Sequence, residues 1–287
     1  MKRIIITTES GTDLPKERAG ELGIRVIPMW VVTEGSSRPD GSFPAGEVFT
    51  YYKKTKTVPS TSAVNPQEYI EFFRALRKED PAADILHIAY SSKASSTFQN
   101  AAIAIEELAD PGIFLADSLN VSGGISLICE KAVEIAGRAE DGRAALEELE
   151  NWIKRARVTF LPDSLEFLKA GGRVSNAAYL GASLLQLKPQ ILIQDGKLVA
   201  SRKYRGKMQS VAVPYLEDFV KNNALDKSEL LYLFSTEGFS AELMEILEKR
   251  AGEMGFQKVH RTVCGCVISC HGGPAALGIA GFTEEAD

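Results

Sequence analysis

Residues 85–101 read ILHIAYSSKASSTFQNA, and this stretch decides the fold of the chain. The short apolar run 85–89 is typical of a buried strand, and five hydroxyl side chains follow it between Ser91 and Thr97. From Ser95 onward the residues favour a helix. A strand followed at once by a helix indicates a βαβ unit, and its turn brings hydroxyls and free backbone N–H groups together. The sequence therefore predicts an anion-binding corner at this turn.

Length and composition restrict the class of protein. The chain has 287 residues, 45% hydrophobic and 25% charged, which is ordinary for a globular protein of one large or two medium domains. A net charge of −5 argues against nucleic-acid binding. The first residues carry too short an apolar run for a signal peptide, and no run has the length of a membrane span. We therefore expect a cytoplasmic protein without stable membrane insertion.

The pattern of apolar residues changes near residue 157. Before it, strands alternate with helices, which predicts a parallel sheet. After it, Asp195-Gly196 lies between two strand-like runs and favours a tight hairpin turn, so a mostly antiparallel sheet covered by helices is expected. The predicted fold is α/β with two domains, an N-terminal βαβ parallel-sheet domain over 1–157 and a C-terminal α+β domain over 158–287. Predicted strands cover 3–7, 24–32, 85–89, 113–116, 158–161, 190–194, 197–203, 229–234, 258–270 and 277–282; predicted helices cover 48–52, 66–77, 95–108, 122–137, 142–155, 164–169, 177–187, 208–222 and 240–254.

Two helix starts carry local signals. Asp13 precedes Pro15 and is expected to cap a helix that begins there. Ser62 or Asn65 is expected to cap the helix that begins at Pro66, with Glu68 completing a capping box.

Two further polar segments are candidate sites. Residues 60–62 read STS, which fits either a polar loop or a ligand contact. His271 precedes two glycines and a proline, where a neutral imidazole either donates to an anion or stabilises a turn. The cysteines at 264, 266 and 270 would share one face of an extended strand, and we interpret them as core residues rather than a metal site.

Basic residues cluster over 169–173 and 202–207, either as solvated faces or as one patch for an acidic protein surface or a nucleotide phosphate. The chain has no P-loop, no G-x-G-x-x-G and no G-x-S-x-G motif. A serine-dependent esterase or phosphotransferase using Ser95 and His271 remains an alternative. His87 lies inside a predicted strand and is expected to be structural.

A set of short motifs appears in order along nearly the whole chain, from Ile4 to Phe282. Together they resemble the DegV family of bacterial lipid-binding proteins. The motifs are ESGTDLP (9–15), VIPM (26–29), RPDG (38–41), TS (61–62), SSKASSTFQNA (91–101), DS (117–118), LEFLKAGGR (165–173), LKP (187–189) and HGGP (271–274).

The resemblance implies a protein that holds a long-chain fatty acid between its two domains, with no other cofactor and no catalytic activity of its own. Some family members are acyl-carrying subunits of a bacterial fatty acid kinase, and they present the carboxylate to a separate ATP-binding kinase that makes an acyl phosphate. By this resemblance Thr61 and Ser95 hydrogen-bond the carboxylate. The supporting residues would be Ser62, Ser92, Ser96 and His271, and the kinase-docking residues Arg173, Arg202 and Arg205.

The chain also departs from the family pattern. Residues 63–66 read AVNP where the family has Gln-Pro-Ser-Pro, Ser96 stands where it has glycine, and Glu9 replaces an aspartate. The apolar segment 179–185 is a candidate wall of the lipid tunnel. A third hypothesis is a regulatory module that binds a partner through the basic patch alone.

Overall fold

Three β-sheets organise residues 1–176 and 187–285, which the computed structural model describes. The strands are β1 (Ile4–Glu9), β2 (Arg25–Ile27), β3 (Trp30–Thr33), β4 (Ser36–Pro39), β5 (Ser60–Ser62), β6 (Asp84–Ala89), β7 (Ile113–Asp117), β8 (Ala156–Leu161), β9 (Leu187–Gln194), β10 (Lys197–Arg205), β11 (Leu230–Ser235), β12 (Lys258–Val263) and β13 (Leu277–Phe282). The helices are α1 (Lys16–Leu22), α2 (Gly46–Thr55), α3 (Pro66–Glu79), α4 (Thr97–Leu108), α5 (Gly123–Ala136), α6 (Gly142–Arg155), α7 (Glu166–Gly171), α8 (Met208–Asn222), α9 (Ala241–Glu253) and α10 (Cys266–Gly272).

The first sheet is parallel, with the strand order β2-β1-β6-β7. Its central strands β1 and β6 are buried on both faces. Their alternate side chains enter different cores, because successive residues of a strand point to opposite sides. Ile5 and Ile85 pack with α3 and α4, while Ile6 and Leu86 pack with α5 and α6. The carboxyl ends of β1 and β6 therefore meet at one edge, where the hydroxyl-rich turn after β6 begins.

The second sheet has the order β10-β9-β8-β13-β11-β12 and is antiparallel except between β11 and β12. The predicted hairpin is confirmed, with Asp195 at φ 49° and Gly196 at φ 77°, the left-handed values of a tight primed turn. Helices α8 and α9 cover one face. Helix α5 covers the other face, because Ile125 and Ile128 share a core with Phe234.

The predicted fold class is confirmed: a parallel α/β sheet is followed along the chain by a mostly antiparallel sheet with helices. The division into domains at residue 157 stays a prediction. Helix α5 contacts both sheets, and α10, which follows β12, packs in the same core as α2 and α3.

The single strand predicted over 24–32 is wrong. The segment forms β2 in the parallel sheet and β3 in a separate three-stranded sheet with β4 and β5. Pro28 lies between the two strands and has no N–H to continue a ladder, so the chain changes sheets there. The polar loop considered for 60–62 is the strand β5.

The strand predicted over 258–270 is also wrong beyond β12, because the chain turns at Gly265 and forms α10. The backbone N–H of Gly265 donates to Asp13 Oδ1 (2.7 Å), and that of Cys266 donates to Asp40 Oδ1 (2.8 Å). The prediction that Asp13 caps α1 is therefore wrong. Asp13 binds the start of α10 instead. The four cysteines are buried free thiols.

The capping box at α3 is confirmed, with Asn65 and Glu68 each bonding the other's backbone N–H. Residues 177–186 of the helix predicted over 177–187, and with them the tunnel wall assigned to 179–185, lie outside the described part of the chain; Leu187 is the first residue of β9. No helix in 1–176 or 187–285 is long and apolar enough to cross a membrane.

Candidate functional site

A hydrogen bond joins Thr61 on β5 to His271 in the last turn of α10, with 2.8 Å between Oγ1 and Nε2. Thr61 is held in place by its pairing with Val31 on β3. His271 is held because α10 is fixed at its first turn by Asp13 and Asp40. The two halves of the chain therefore meet at this contact.

The imidazole of His271 is neutral at physiological pH. Burial disfavours its charged form and lowers its pKa to about 4, and the positive charge of Arg173 acts in the same direction. The Nδ1 atom is buried and has no hydrogen-bond partner among the described residues. It lies close to the backbone of Gly171, where a Cβ would approach it to 2.5 Å. With its proton on Nε2 the ring donates to Thr61, whose own O–H is then available to an anion.

Ser95 lies two residues before the first residue of α4. Its Oγ accepts the backbone N–H of Thr97 (3.2 Å) and contacts the Thr97 hydroxyl. This places a hydroxyl at the positive end of a helix dipole, the usual position for an anion contact. Its neighbour Ser91 has a structural role, since its Oγ donates to the carbonyl of Gly196 (2.7 Å) and so ties the turn after β6 to the β9–β10 hairpin.

These side chains surround one cavity of about 280 Å³, which we call the polar cavity. It brings together six of the predicted site residues: Thr61, Ser62, Ser95, Ser96, Arg173 and His271. The remaining lining is largely apolar: Met29, Ala63, Tyr90, Ala94, Leu198 and Val267. Arg173 is exposed, so it contributes a cation to a cavity whose other polar groups are uncharged.

The other three predicted residues lie elsewhere. Ser92 is half-buried and its backbone N–H donates to Asp117 (3.1 Å), and it does not line the polar cavity. Arg202 forms an ion pair with Asp218 on α8 (2.7 Å). Arg205 is seven residues beyond the cavity residue Leu198 on β10, roughly 20 Å at about 3.3 Å per residue.

A second cavity, of about 50 Å³, is mostly apolar, and we call it the apolar cavity; sequence reasoning expected a lipid tunnel but did not identify this apolar lining. It adjoins the polar cavity, because Tyr90, Leu198 and His271 line both. Its remaining residues come mainly from β8, β11, α10 and β13: Val121, Ser122, Phe160, Phe234, Ser235, Thr236, Cys264, Ile268, Gly272, Ala276, Leu277 and Gly278. The apolar runs of β11 and β13 are visible in the sequence, but the residues of these strands that line a cavity are not.

A hydroxyl-lined polar cavity that adjoins an apolar one is the type of site that takes an amphipathic small molecule. The chain belongs to the DegV family: residues 3–284 match the family model described as "Uncharacterised protein, DegV family". The predicted family resemblance is thereby confirmed.

Relatives cover the chain almost completely. A DegV domain-containing protein of Caldanaerobacter subterraneus subsp. tengcongensis is 30% identical over 285 residues, covering 99% of this chain and 100% of its own. A solved structure of a fatty-acid-binding DegV family protein from Thermus thermophilus superposes with a TM-score of 0.85 at 26% identity, covering 98% of this chain and 100% of its own. A DegV lipid-binding protein from Thermotoga maritima gives a TM-score of 0.83 at 25% identity, with 100% of both chains covered.

Proposed function

We propose that this protein binds a long-chain fatty acid, with the carboxylate in the polar cavity and the tail in the apolar cavity. The observation that carries the proposal is the hydrogen bond between Thr61 and His271 on the wall of a cavity that also contains Ser95 and adjoins an apolar one. Members of the family from Thermus thermophilus and Thermotoga maritima are described as fatty-acid-binding and lipid-binding proteins, which supports it.

The chemistry of the polar cavity suits a carboxylate. Thr61 and Ser95 offer neutral donors, and the first turn of α4 adds a favourable dipole. Because these groups are uncharged, the site avoids burying a cation with its desolvation cost. Arg173 remains exposed and attracts the anion without being buried with it. Ser62 and Ser96 are exposed on the same wall and would act as secondary contacts.

The tail supplies most of the affinity. Each buried methylene contributes about 0.8 kcal/mol, so a long saturated chain outweighs the few headgroup hydrogen bonds. This explains how a site without a buried cation holds an anionic ligand.

Lipid extraction of the purified protein followed by mass spectrometry tests the proposal directly. A long-chain fatty acid in stoichiometric amount is the expected result. Titration with palmitate should show weaker binding by Thr61→Val and Ser95→Ala, and unchanged binding by Ser36→Ala, since Ser36 is exposed on β4 and away from the cavity. Absence of bound acid together with absence of binding in titration would refute the proposal.

We further propose that the protein is not catalytic alone and presents the carboxylate to a separate ATP-binding kinase. The exposed Arg173 at the polar cavity and the exposed Arg202 and Arg205 on β10 are the proposed docking residues. Charge reversal by Arg202→Glu or Arg205→Glu should abolish kinase-dependent acyl phosphate formation while palmitate still binds, because neither residue lines the polar cavity. Kinase turnover at the wild-type rate in both variants would exclude this surface.

The catalytic alternative uses Ser95 as nucleophile and His271 as base. In the described residues the hydroxyl that His271 contacts is that of Thr61, and the Ser95 hydroxyl contacts Thr97. This arrangement favours ligand contacts over an activated serine. Labelling by a serine-reactive phosphonate that Ser95→Ala prevents would support the alternative instead.

A further inference from the structure

Phe234 on β11 lines the apolar cavity and is only 4% exposed. Its ring lies against the backbone of two glycines from different elements, Gly123 at the start of α5 and Gly278 on β13. A Cβ at Gly123 would come within 2.3 Å of the ring, and one at Gly278 within 2.0 Å. The ring therefore occupies a slot that exists only because both residues lack a side chain.

Gly278 is also the centre of a row across the sheet. It pairs with Phe234 on β11 and with Phe160 on β8, and all three residues line the apolar cavity. Directly opposed residues of antiparallel strands point to the same face. The rings of Phe160 and Phe234 therefore lie on either side of Gly278, which has no side chain. The ring of Phe234 covers the Gly278 backbone.

Phe160 and Phe234 differ in how tightly their rings are packed. Phe160 is half-buried, whereas Phe234 is held between two backbones. Phe234 does not line the polar cavity, so it lies beyond the point where the two cavities meet at Tyr90, Leu198 and His271. A close-packed wall yields little to a ligand that is too long, since interiors are as dense as organic crystals.

We propose that Phe234 is the residue that limits the length of the acyl chain, acting as a fixed stop in the apolar cavity. This inference rests on the proposed fatty-acid function. Phe234 lines this cavity, so the volume of its ring helps to decide how much of the tail the cavity can accept. Phe234→Leu and Phe234→Ala should extend the accepted chain. Gly278→Ala should shorten it, because the added methyl group pushes the ring into the cavity.

The test compares the affinities for lauric, myristic, palmitic and stearic acids among the wild type, Phe234→Leu, Phe234→Ala and Gly278→Ala. Each methylene that becomes newly buried raises affinity about fourfold, so the stearate-to-myristate affinity ratio should rise by at least about fourfold in Phe234→Ala. Gly278→Ala should lower the same ratio. Phe219→Leu is the matched control, because Phe219 is buried against the opposite face of the sheet.

The ratio separates a stop from a merely structural ring, because general destabilisation weakens all four acids alike. An unchanged ratio in Phe234→Leu and Phe234→Ala, with binding retained, would overturn the inference and leave the proposed function standing. An equal change in Phe219→Leu would overturn it as well. Failure of the wild type to bind any of the acids would instead overturn the proposed function, and the inference with it. If Phe234→Ala or Gly278→Ala fails to fold, Phe234→Leu still tests the inference.

Discussion

His271 Nε2 lies 2.8 Å from Thr61 Oγ1 although 210 residues separate them in the chain. Neither residue is in the two large sheets: Thr61 is on the three-stranded sheet and His271 is in a short helix fixed by Asp13 and Asp40. The contact therefore depends on small elements that pack between the larger ones. Its geometry lets the neutral ring of His271 orient the Thr61 hydroxyl.

Thr61→Val should weaken palmitate binding by about 10-fold to 100-fold, because a hydrogen bond to a charged group contributes about 1.5–3 kcal/mol. His271→Ala should weaken binding through the same hydroxyl. In a double-mutant cycle the second substitution should then cost little once the first is present. Thr50→Val, an exposed residue of α2, serves as the control. Strict additivity of the two effects would show that His271 does not act through Thr61.

The pKa of His271 should be measurable by NMR titration of the three histidine rings in the wild type. We expect a midpoint near pH 4, because burial disfavours the imidazolium and Arg173 repels it. Since the folded pKa lies below the unfolded value of about 6.5, this ring stabilises the fold above that pH and loses its contribution as pH falls toward 4. His271→Asn identifies the resonance, and Arg173→Gln should raise the midpoint. A midpoint near 6.5 in the wild type would contradict the buried, neutral assignment.

The hydroxyl-rich turn after β6 could be predicted because its signal is local: an apolar run, then hydroxyls, then helix-forming residues. The hairpin at Asp195-Gly196 and the capping box at Asn65 are local in the same sense, since turn and cap residues act within four positions. Such signals placed the start of a helix at Ser95, two residues before α4 begins. The family motifs added Thr61 and His271, which no local pattern connects.

The errors have a different origin. Residues 263–270 are apolar and rich in cysteine, which favours a continuation of the strand, but carboxylates from Asp13 and Asp40 stabilise a helix after Gly265. That stabilisation comes from residues more than two hundred positions away, and sequence patterns carry no trace of it. The lining of the apolar cavity was missed for the same reason, because Phe160 and Phe234 become neighbours only across Gly278.

The carboxyl group of Asp13 gives a prediction about stability and pH. Burial raises its pKa to about 7 despite hydrogen bonds from Ser122 and Gly265 that act in the opposite direction, and Asp40 adds repulsion. Because the folded pKa is above the unfolded value of about 3.9, its protonated form favours the fold at low pH, and that contribution is lost as pH rises toward 7. Asp13→Asn cannot ionise and still offers an acceptor to Gly265.

Relative to the wild type, the free energy of unfolding of Asp13→Asn should increase by about 2–3 kcal/mol between pH 5 and pH 8, two pKa units at about 1.4 kcal/mol each. Urea denaturation at the two pH values measures this difference, and titrations shared by both proteins cancel in it. A difference that stays constant with pH would mean that Asp13 is ionised throughout this range.

Gly196 provides a test of how the β9–β10 hairpin supports the polar cavity. Its φ of 77° disfavours any side chain, and a Cβ would also lie 2.6 Å from Ser91 Oγ, the hydroxyl that donates to the Gly196 carbonyl. Gly35 in the β3–β4 turn has nearly the same φ, 72°, with nothing within 4 Å of a Cβ. Gly35→Ala should therefore lower the free energy of unfolding by about 1 kcal/mol, the conformational strain alone, and Gly196→Ala should lower it by more.

Ser91→Ala in the Gly196→Ala background should recover part of that additional loss of stability in thermal denaturation. Palmitate binding should weaken in Gly196→Ala but not in Gly35→Ala. Equal costs for the two glycine variants would mean that the hairpin moves freely and does not hold the turn that carries Ser95.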